Sequence, residues 1–125
     1  MEPFTPLATH LLIELYGVDH ATLDNVEALK AALLAAAAAA RTTVLAVASH
    51  KFEPQGASVV VLVAESHLSI HTWPEVGYAA VDIFTCGAAL PRDGVAPLVA
   101  ALKPTRHEVS TVARGTNQAA LTPSR

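Results

Sequence analysis

Large apolar residues crowd residues 9–16, THLLIELY, and end at Gly17, a pattern that predicts a strand. Asp24 and Glu27 have the spacing of a helix N-cap and capping box. Beyond them Val26, Leu29, Leu33 and Ala37 recur at helical intervals, which predicts a helix over residues 24–41. Residues 42–52, TTVLAVASHKF, begin β-branched and predict a second strand, with Pro54 and Gly56 marking a turn after it. Residues 58–65, SVVVLVAE, are apolar almost without interruption, which predicts a strand buried on both faces. Residues 67–72 continue as extended chain until Pro74 and Gly77 break it. Residues 78–86, YAAVDIFTC, form the next predicted strand, closed by Gly87. Residues 93–102 carry helical spacing with Pro97 near the start, and residues 105–113 alternate as a last strand.

This order of elements implies a single α+β domain, a two-layer α/β sandwich whose largely antiparallel sheet carries its helices on one face. The opposite face then needs a cover or a polar surface. Charged residues make up only 15% of the chain, so self-association across that face is expected.

Composition narrows the function classes. At 125 residues and 52% hydrophobic, the chain suits one domain with a real core. No Lys/Arg cluster interrupts the net charge of −3, so nucleic acid and anionic membrane surfaces are not expected partners. The N-terminal MEPFTPLATHLL lacks the basic and apolar regions of a signal peptide. The apolar run AALLAAAAAA, residues 31–40, is too short to cross a bilayer. The single cysteine, Cys86, cannot form an intrachain disulfide, and a reduced, cytoplasmic setting is expected.

The chemistry concentrates in residues 63–75, VAESHLSIHTWPE, where an apolar strand ends in a carboxylate, two serines, two histidines and a tryptophan. A polar strand end is the simplest reading. Against it, a second polar pair, Thr85 and Cys86, closes the next predicted strand, and the two ends converge if the strands pair. A metal site at His67 and His71 would place the rings about 13 Å apart on extended chain. The sequence also lacks HExxH and paired Cys/His ligands, so no metal is expected. A hydrolase with Ser66 or Cys86 as nucleophile and His71 as base lacks a G-x-S-x-G elbow and an orienting carboxylate. That reading stays open beside a fourth, self-processing, in which Ser66 attacks the carbonyl before it and β-elimination of the ester leaves a pyruvoyl group. That chemistry needs strain at the bond, donors for the oxyanion and a base for the Ser66 α-proton.

ESHLSIHTWPEVGYAAVDIFTCG, residues 65–87, closely resembles the signature of the prokaryotic S-adenosylmethionine decarboxylase proenzymes. SHKFEPQGAS, residues 49–58, HLLIELYGVD and TLDNVEAL resemble other stretches of the family, so the likeness spans roughly residues 7–114. It implies cleavage between Glu65 and Ser66, giving a β chain of residues 1–65 and an α chain of residues 66–125 that begins with pyruvate made from Ser66. The pyruvoyl ketone would form a Schiff base with the substrate amine and act as an electron sink. The resemblance also implies a role for His71 in processing, for Cys86 as catalytic proton donor, and for Ser58 as a serine assisting at the processing site. Phe52 would stack on adenine, Glu75 would bind the ribose hydroxyls, and a homodimer of cleaved units would form its sites near the subunit interface.

The chain departs from the family pattern at Ser49, Val59 and Val76, which bears on substrate contacts and leaves the cleavage motif intact. The resemblance therefore implies decarboxylation of S-adenosylmethionine for spermidine synthesis. A pyruvoyl decarboxylase of ornithine or arginine is the nearest alternative. A processing-dead homologue that only binds and regulates a partner is the other, though Glu65, Ser66, His71 and Cys86 are all present.

Overall fold

The computed structural model of the protein describes residues 5–122. Its strands are β1 (Ala8–Tyr16), β2 (Val44–Lys51), β3 (Ala57–Val63), β4 (Ser66–Trp73), β5 (Tyr78–Cys86) and β6 (Arg106–Arg114). They form one sheet in the order β2-β3-β4-β5-β1-β6, with every neighbouring pair antiparallel. Helices α1 (His20–Leu23), α2 (Val26–Ala39) and α3 (Val95–Leu102) complete the fold. The α+β, two-layer expectation holds.

Period-2 alternation decides which strand residues meet the helices. Leu11, Ile13 and Leu15 of β1, Val59, Val61 and Val63 of β3, Leu68 and Ile70 of β4 and Ile83 of β5 are fully buried. They share one core with Leu29, Leu33, Ala36 and Ala37 of α2 and with Leu98 and Leu102 of α3. Truncating one of these leucines to alanine costs about 2–5 kcal/mol. The alanine-rich face of α2 permits close approach: a Cβ on Gly94, just before α3, would lie 3.0 Å from the Ala36 carbonyl oxygen.

The alternate residues form an open face that no helix among the described residues covers. Val60 and Leu62 are 38% and 49% exposed there, so β3 is buried on one face and not, as its apolar run suggested, on both. The apolar residues on this face fit a sheet that pairs with a second surface.

Two local expectations change. Asn25 caps α2 by accepting a hydrogen bond from the Ala28 amide, whereas Asp24 receives the Gly56 amide and pairs with Lys51 Nζ at 2.9 Å. Asp24 thus ties the loop after β2 to the helical layer. The second change is larger. The extended chain does not run on from residue 63 to residue 72. Val63 pairs with Ser66, so Ala64 and Glu65 form a two-residue turn and β4 runs back against β3.

Candidate active site

The β3–β4 turn places the predicted scissile bond at a sheet end. Glu65 has φ = 67°, in the left-handed region. That conformation costs an L-residue with a Cβ about 1–2 kcal/mol, and glycine is the usual occupant. The strain expected of a self-cleaving bond thus sits on the residue that contributes its carbonyl.

Antiparallel pairing of β4 with β5 brings the start of one strand to the end of the other. Ser66, 9% exposed, directs its hydroxyl to Cys86 Sγ at 3.8 Å. The Cys86 sulfur lies 3.6 Å from the Glu65 carbonyl oxygen and 3.3 Å from Glu65 Oε2. Cys86 is half-buried, and Thr85 beside it is buried. A small cleft of about 140 Å³ opens next to Cys86, lined by Ala8, Thr9, Thr85 and Gly87 among others. The predicted convergence of the two polar strand ends is therefore present.

Ser58 and His71 lie elsewhere. They face each other in the β3–β4 ladder, with Ser58 Oγ 2.6 Å from His71 Nδ1. His71 is five residues along β4 from Ser66, about 17 Å at the usual strand rise. Within one chain it cannot reach the Ser66 α-proton. The sequence pattern brought His71 close to Ser66 in number, and the extended backbone separates them in space.

Ser58 and His71 instead line a cleft of about 380 Å³ with Phe52, Trp73 and Glu75. The β2–β3 loop supplies Phe52, which is 46% exposed and lies 4.7 Å from the His50 ring. A 3₁₀ turn, Pro74–Val76, carries Glu75. Thr72 holds the floor, accepting the Ala57 amide and donating to the Leu23 carbonyl. Trp73 is 44% exposed and packs 5.3 Å from Tyr78, so it belongs to this cleft and not to the core. Burial and the neighbouring Glu14 carboxylate push Tyr78 up to about 12. Its hydroxyl stays protonated and donates to Glu14 at 2.7 Å.

A polar group that the sequence reading did not assemble joins the middle of the open face. Asp82 accepts from His10 Nε2 at 2.7 Å, from His67 Nε2 at 2.9 Å and from the Ser69 hydroxyl. Burial pushes its carboxyl up, but the hydrogen bonds from Ser69, His10 and His67 outweigh this and hold it below the ordinary carboxylate range. Among the described residues, His10, His67 and Asp82 could supply three ligand atoms within 4.8 Å of one another. Arg114 Nη1 lies 3.1 Å from His10 Nδ1, however. A guanidinium only donates, so Nδ1 accepts and the His10 proton sits on Nε2, facing Asp82. Both nitrogens are engaged, and the group reads as a hydrogen-bond network. The signal was present in the sequence: His67 and Ser69, like Asp82 and Phe84, share a parity on neighbouring strands.

The profile of the family described as S-adenosylmethionine decarboxylase matches residues 9–115. The chain belongs to the S-adenosylmethionine decarboxylase family. It is 50% identical, over 87% of its length and 89% of the relative's, to the S-adenosylmethionine decarboxylase proenzyme of Caldanaerobacter subterraneus subsp. tengcongensis. It is 45% identical to the proenzyme of the same name from Pseudomonas paraeruginosa, over 92% of this chain and 72% of that one. In fold it is similar to the crystal structure of the adenosylmethionine decarboxylase from Aquifex aeolicus, with a TM-score of 0.84 and 36% identity. That likeness covers 96% of this chain and 100% of the other. These relatives support the S-adenosylmethionine decarboxylase reading and do not favour the ornithine or arginine decarboxylase or the regulatory homologue.

Proposed function

We propose that this chain is a self-processing, pyruvoyl-dependent S-adenosylmethionine decarboxylase that makes the aminopropyl donor for spermidine synthesis. One observation carries the processing step: the left-handed Glu65 bond lies against both the Ser66 hydroxyl and the Cys86 sulfur.

Ser66 Oγ attacks the Glu65 carbonyl carbon, and the peptide nitrogen leaves as the Ser66 amine. A donor must meet the oxygen as charge develops on it. The Cys86 thiol, 3.6 Å from that oxygen, is the nearest candidate. A base then removes the Ser66 α-proton, and the Glu65 carboxylate departs with the ester oxygen. The dehydroalanine left behind tautomerises to an imine, which water hydrolyses to a pyruvoyl group and ammonia.

The base is His71 of the partner subunit. A two-fold axis lying between two open faces, perpendicular to the strands, sets the Ser66 end of one copy over the His71 end of the other. Ser58 holds the His71 ring through Nδ1 and leaves Nε2 for the proton. Exposed Leu12, Val60 and Leu62 give that interface an apolar contribution.

The residues around position 66 fit a pyruvoyl group: it is small, Ser66 is only 9% exposed, and a thiol stands 3.8 Å from the Ser66 side-chain oxygen. The group supplies a carbonyl system that takes up the electron pair left when carbon dioxide departs. Cys86 Sγ then delivers a proton to the substrate Cα. The placement of that thiol beside position 66 would direct the proton to the substrate carbon, and so protect the enzyme as well as speed it. Phe52 offers a flat surface for adenine, and the Glu75 carboxylate accepts from the ribose hydroxyls. A cytoplasmic setting fits, because Cys86 must stay reduced to donate. No described helix is long and apolar enough to cross a membrane.

The test is a denaturing gel with intact mass measurement, followed by carbon dioxide release from S-adenosylmethionine, ornithine and arginine in parallel. The expected result is two fragments, 1–65 and a blocked 66–125, with turnover of S-adenosylmethionine alone. Cleavage at the same bond in Ser66→Ala would overturn the processing mechanism, and turnover of ornithine without S-adenosylmethionine would overturn the substrate.

A further inference from the structure

His67 directly follows Ser66, the second residue after the scissile bond, and its ring is held more firmly than its 38% exposed side chain suggests. Nε2 donates to Asp82 at 2.9 Å, and the ring stacks on Phe84 at 5.6 Å with 21° between planes. Both partners come from β5, two and four residues before Cys86. Register makes this possible: His67 is opposite Phe84, and Ser69 is opposite Asp82.

Cleavage changes what holds residue 66. In the intact chain the Ala64–Glu65 turn holds it from one side and β4 from the other. Once the bond is cut, the turn side is gone. The group made from Ser66 then hangs on the His67 amide nitrogen alone, and the His67 ring is the nearest side-chain anchor to β5, where Cys86 sits. A group that must hold the substrate carbon against a thiol needs placement to within a fraction of an ångström.

We propose that Asp82, acting through the His67 ring, is the positioning residue that aligns residue 66 with Cys86 during and after cleavage. This rests on the self-processing reading. His10 provides an internal comparison. It donates to the same Asp82 oxygen at 2.7 Å, but from β1, which lies on the other fragment once the bond is cut. Losing either histidine removes one charge-assisted bond from the same carboxylate. Only the loss of His67 frees the new chain end.

Misalignment has a chemical signature. An ester whose α-proton is poorly placed for its base survives long enough for water to attack it. Hydrolysis yields the Glu65 carboxylate and an α chain that keeps its serine, in place of the pyruvoyl end formed by elimination. The two ends differ in mass.

The experiment uses full chains made by cell-free translation, with cleavage followed by gel, the α-chain end by mass and stability by urea midpoint. Wild type, Asp82→Asn, His67→Leu, His67→Gln and His10→Leu are compared. Asp82→Asn and His67→Leu should slow cleavage about tenfold, the kinetic equivalent of one charge-assisted hydrogen bond. They should also yield serine-ended α chain, and their effects should not add in the double variant. His67→Gln, whose amide can still donate to Asp82, should recover much of the rate. His10→Leu should lower the urea midpoint yet cleave within about twofold of wild type, a shift well under one hydrogen bond's worth. Equal slowing in His10→Leu and His67→Leu, tracking stability, would reduce Asp82 to a structural role. Wild-type rates and pyruvoyl ends in Asp82→Asn would overturn the proposal while cleavage itself stands. An uncleaved wild-type chain would instead overturn the self-processing reading beneath it.

Discussion

The Cys86 sulfur lies 3.6 Å from the backbone carbonyl oxygen of Glu65, the carbonyl that Ser66 would attack. It stands equally near the Ser66 hydroxyl, at 3.8 Å. One side chain can therefore serve cleavage first and decarboxylation afterwards. Cys86→Ala should slow the first modestly and the second severely, with the pyruvoyl group converted to alanine over successive turnovers. Intact mass of the α chain before and after turnover reads the conversion, and full, durable activity in Cys86→Ala would remove it from the proton-donor role.

Strain at Glu65 can be tested separately. Glu65→Gly relieves the left-handed backbone and should stabilise the uncleaved chain by about 0.5–1 kcal/mol, after subtracting glycine's greater unfolded freedom. The urea midpoint measured in a Ser66→Ala background gives that number. In the Ser66 background the same change should slow cleavage, because less ground-state strain is released. A glycine variant that is stabilised and cleaves at the wild-type rate would detach the strain from the chemistry.

The separation of His71 from Ser66 along β4 yields a complementation test. Made alone, the Ser66→Ala chain should stay intact and the His71→Ala chain should form no pyruvoyl end. In a mixed dimer, one of the two sites regains both residues, and the His71→Ala chain should then gain a pyruvoyl-ended α fragment. No pyruvoyl end on co-expression, despite mixed dimers in native mass spectra, would place the base elsewhere.

Phe52 bears on substrate. Removing a base-stacking aromatic costs about 1–3 kcal/mol. Phe52→Ala should therefore raise KM for S-adenosylmethionine roughly 5- to 150-fold, with cleavage unchanged. An unaltered KM would move the adenine to another surface, and Trp73 in the same cleft would be the first place to look.

Asp82 predicts an acid dependence of stability. Its carboxyl is held below the ordinary range in the folded chain. Its contribution is thus complete above the unfolded value near 3.9 and is lost as pH falls through the lower folded value. The urea midpoint of the uncleaved Ser66→Ala chain should fall more steeply between about pH 5 and about pH 2 than that of the same chain carrying Asp82→Asn. Matching slopes would mean that the network does not favour the ionised carboxylate.

Local pattern was enough to set several elements. The β5 boundaries, Tyr78 to Cys86, match the expectation because YAAVDIFTC alternates cleanly and glycines flank it. The last strand and the α2 face followed from the same periodicities. The β3–β4 turn was invisible because Ala64–Glu65 carries none of the Gly, Asn or Pro signals of a hairpin. That silence has a chemical counterpart, since a glycine there would relax the bond. Asp24 had the spacing of a cap, but the Gly56 amide and Lys51, 32 and 27 positions further along, took its carboxylate instead.

The proposed cleavage motif, Glu65–Ser66, was legible in residue order, because a peptide bond and its flanking side chains are local in sequence. The grouping of the rest was a matter of strand pairing. Antiparallel register carries Cys86 back to Ser66, and carries His71 away to Ser58 and Phe52. It also gathers His10 of β1 and His67 of β4 onto the Asp82 carboxylate of β5. Neighbours five apart on a strand are far apart, and residues twenty apart across a ladder touch. That geometry exists only once the sheet has formed.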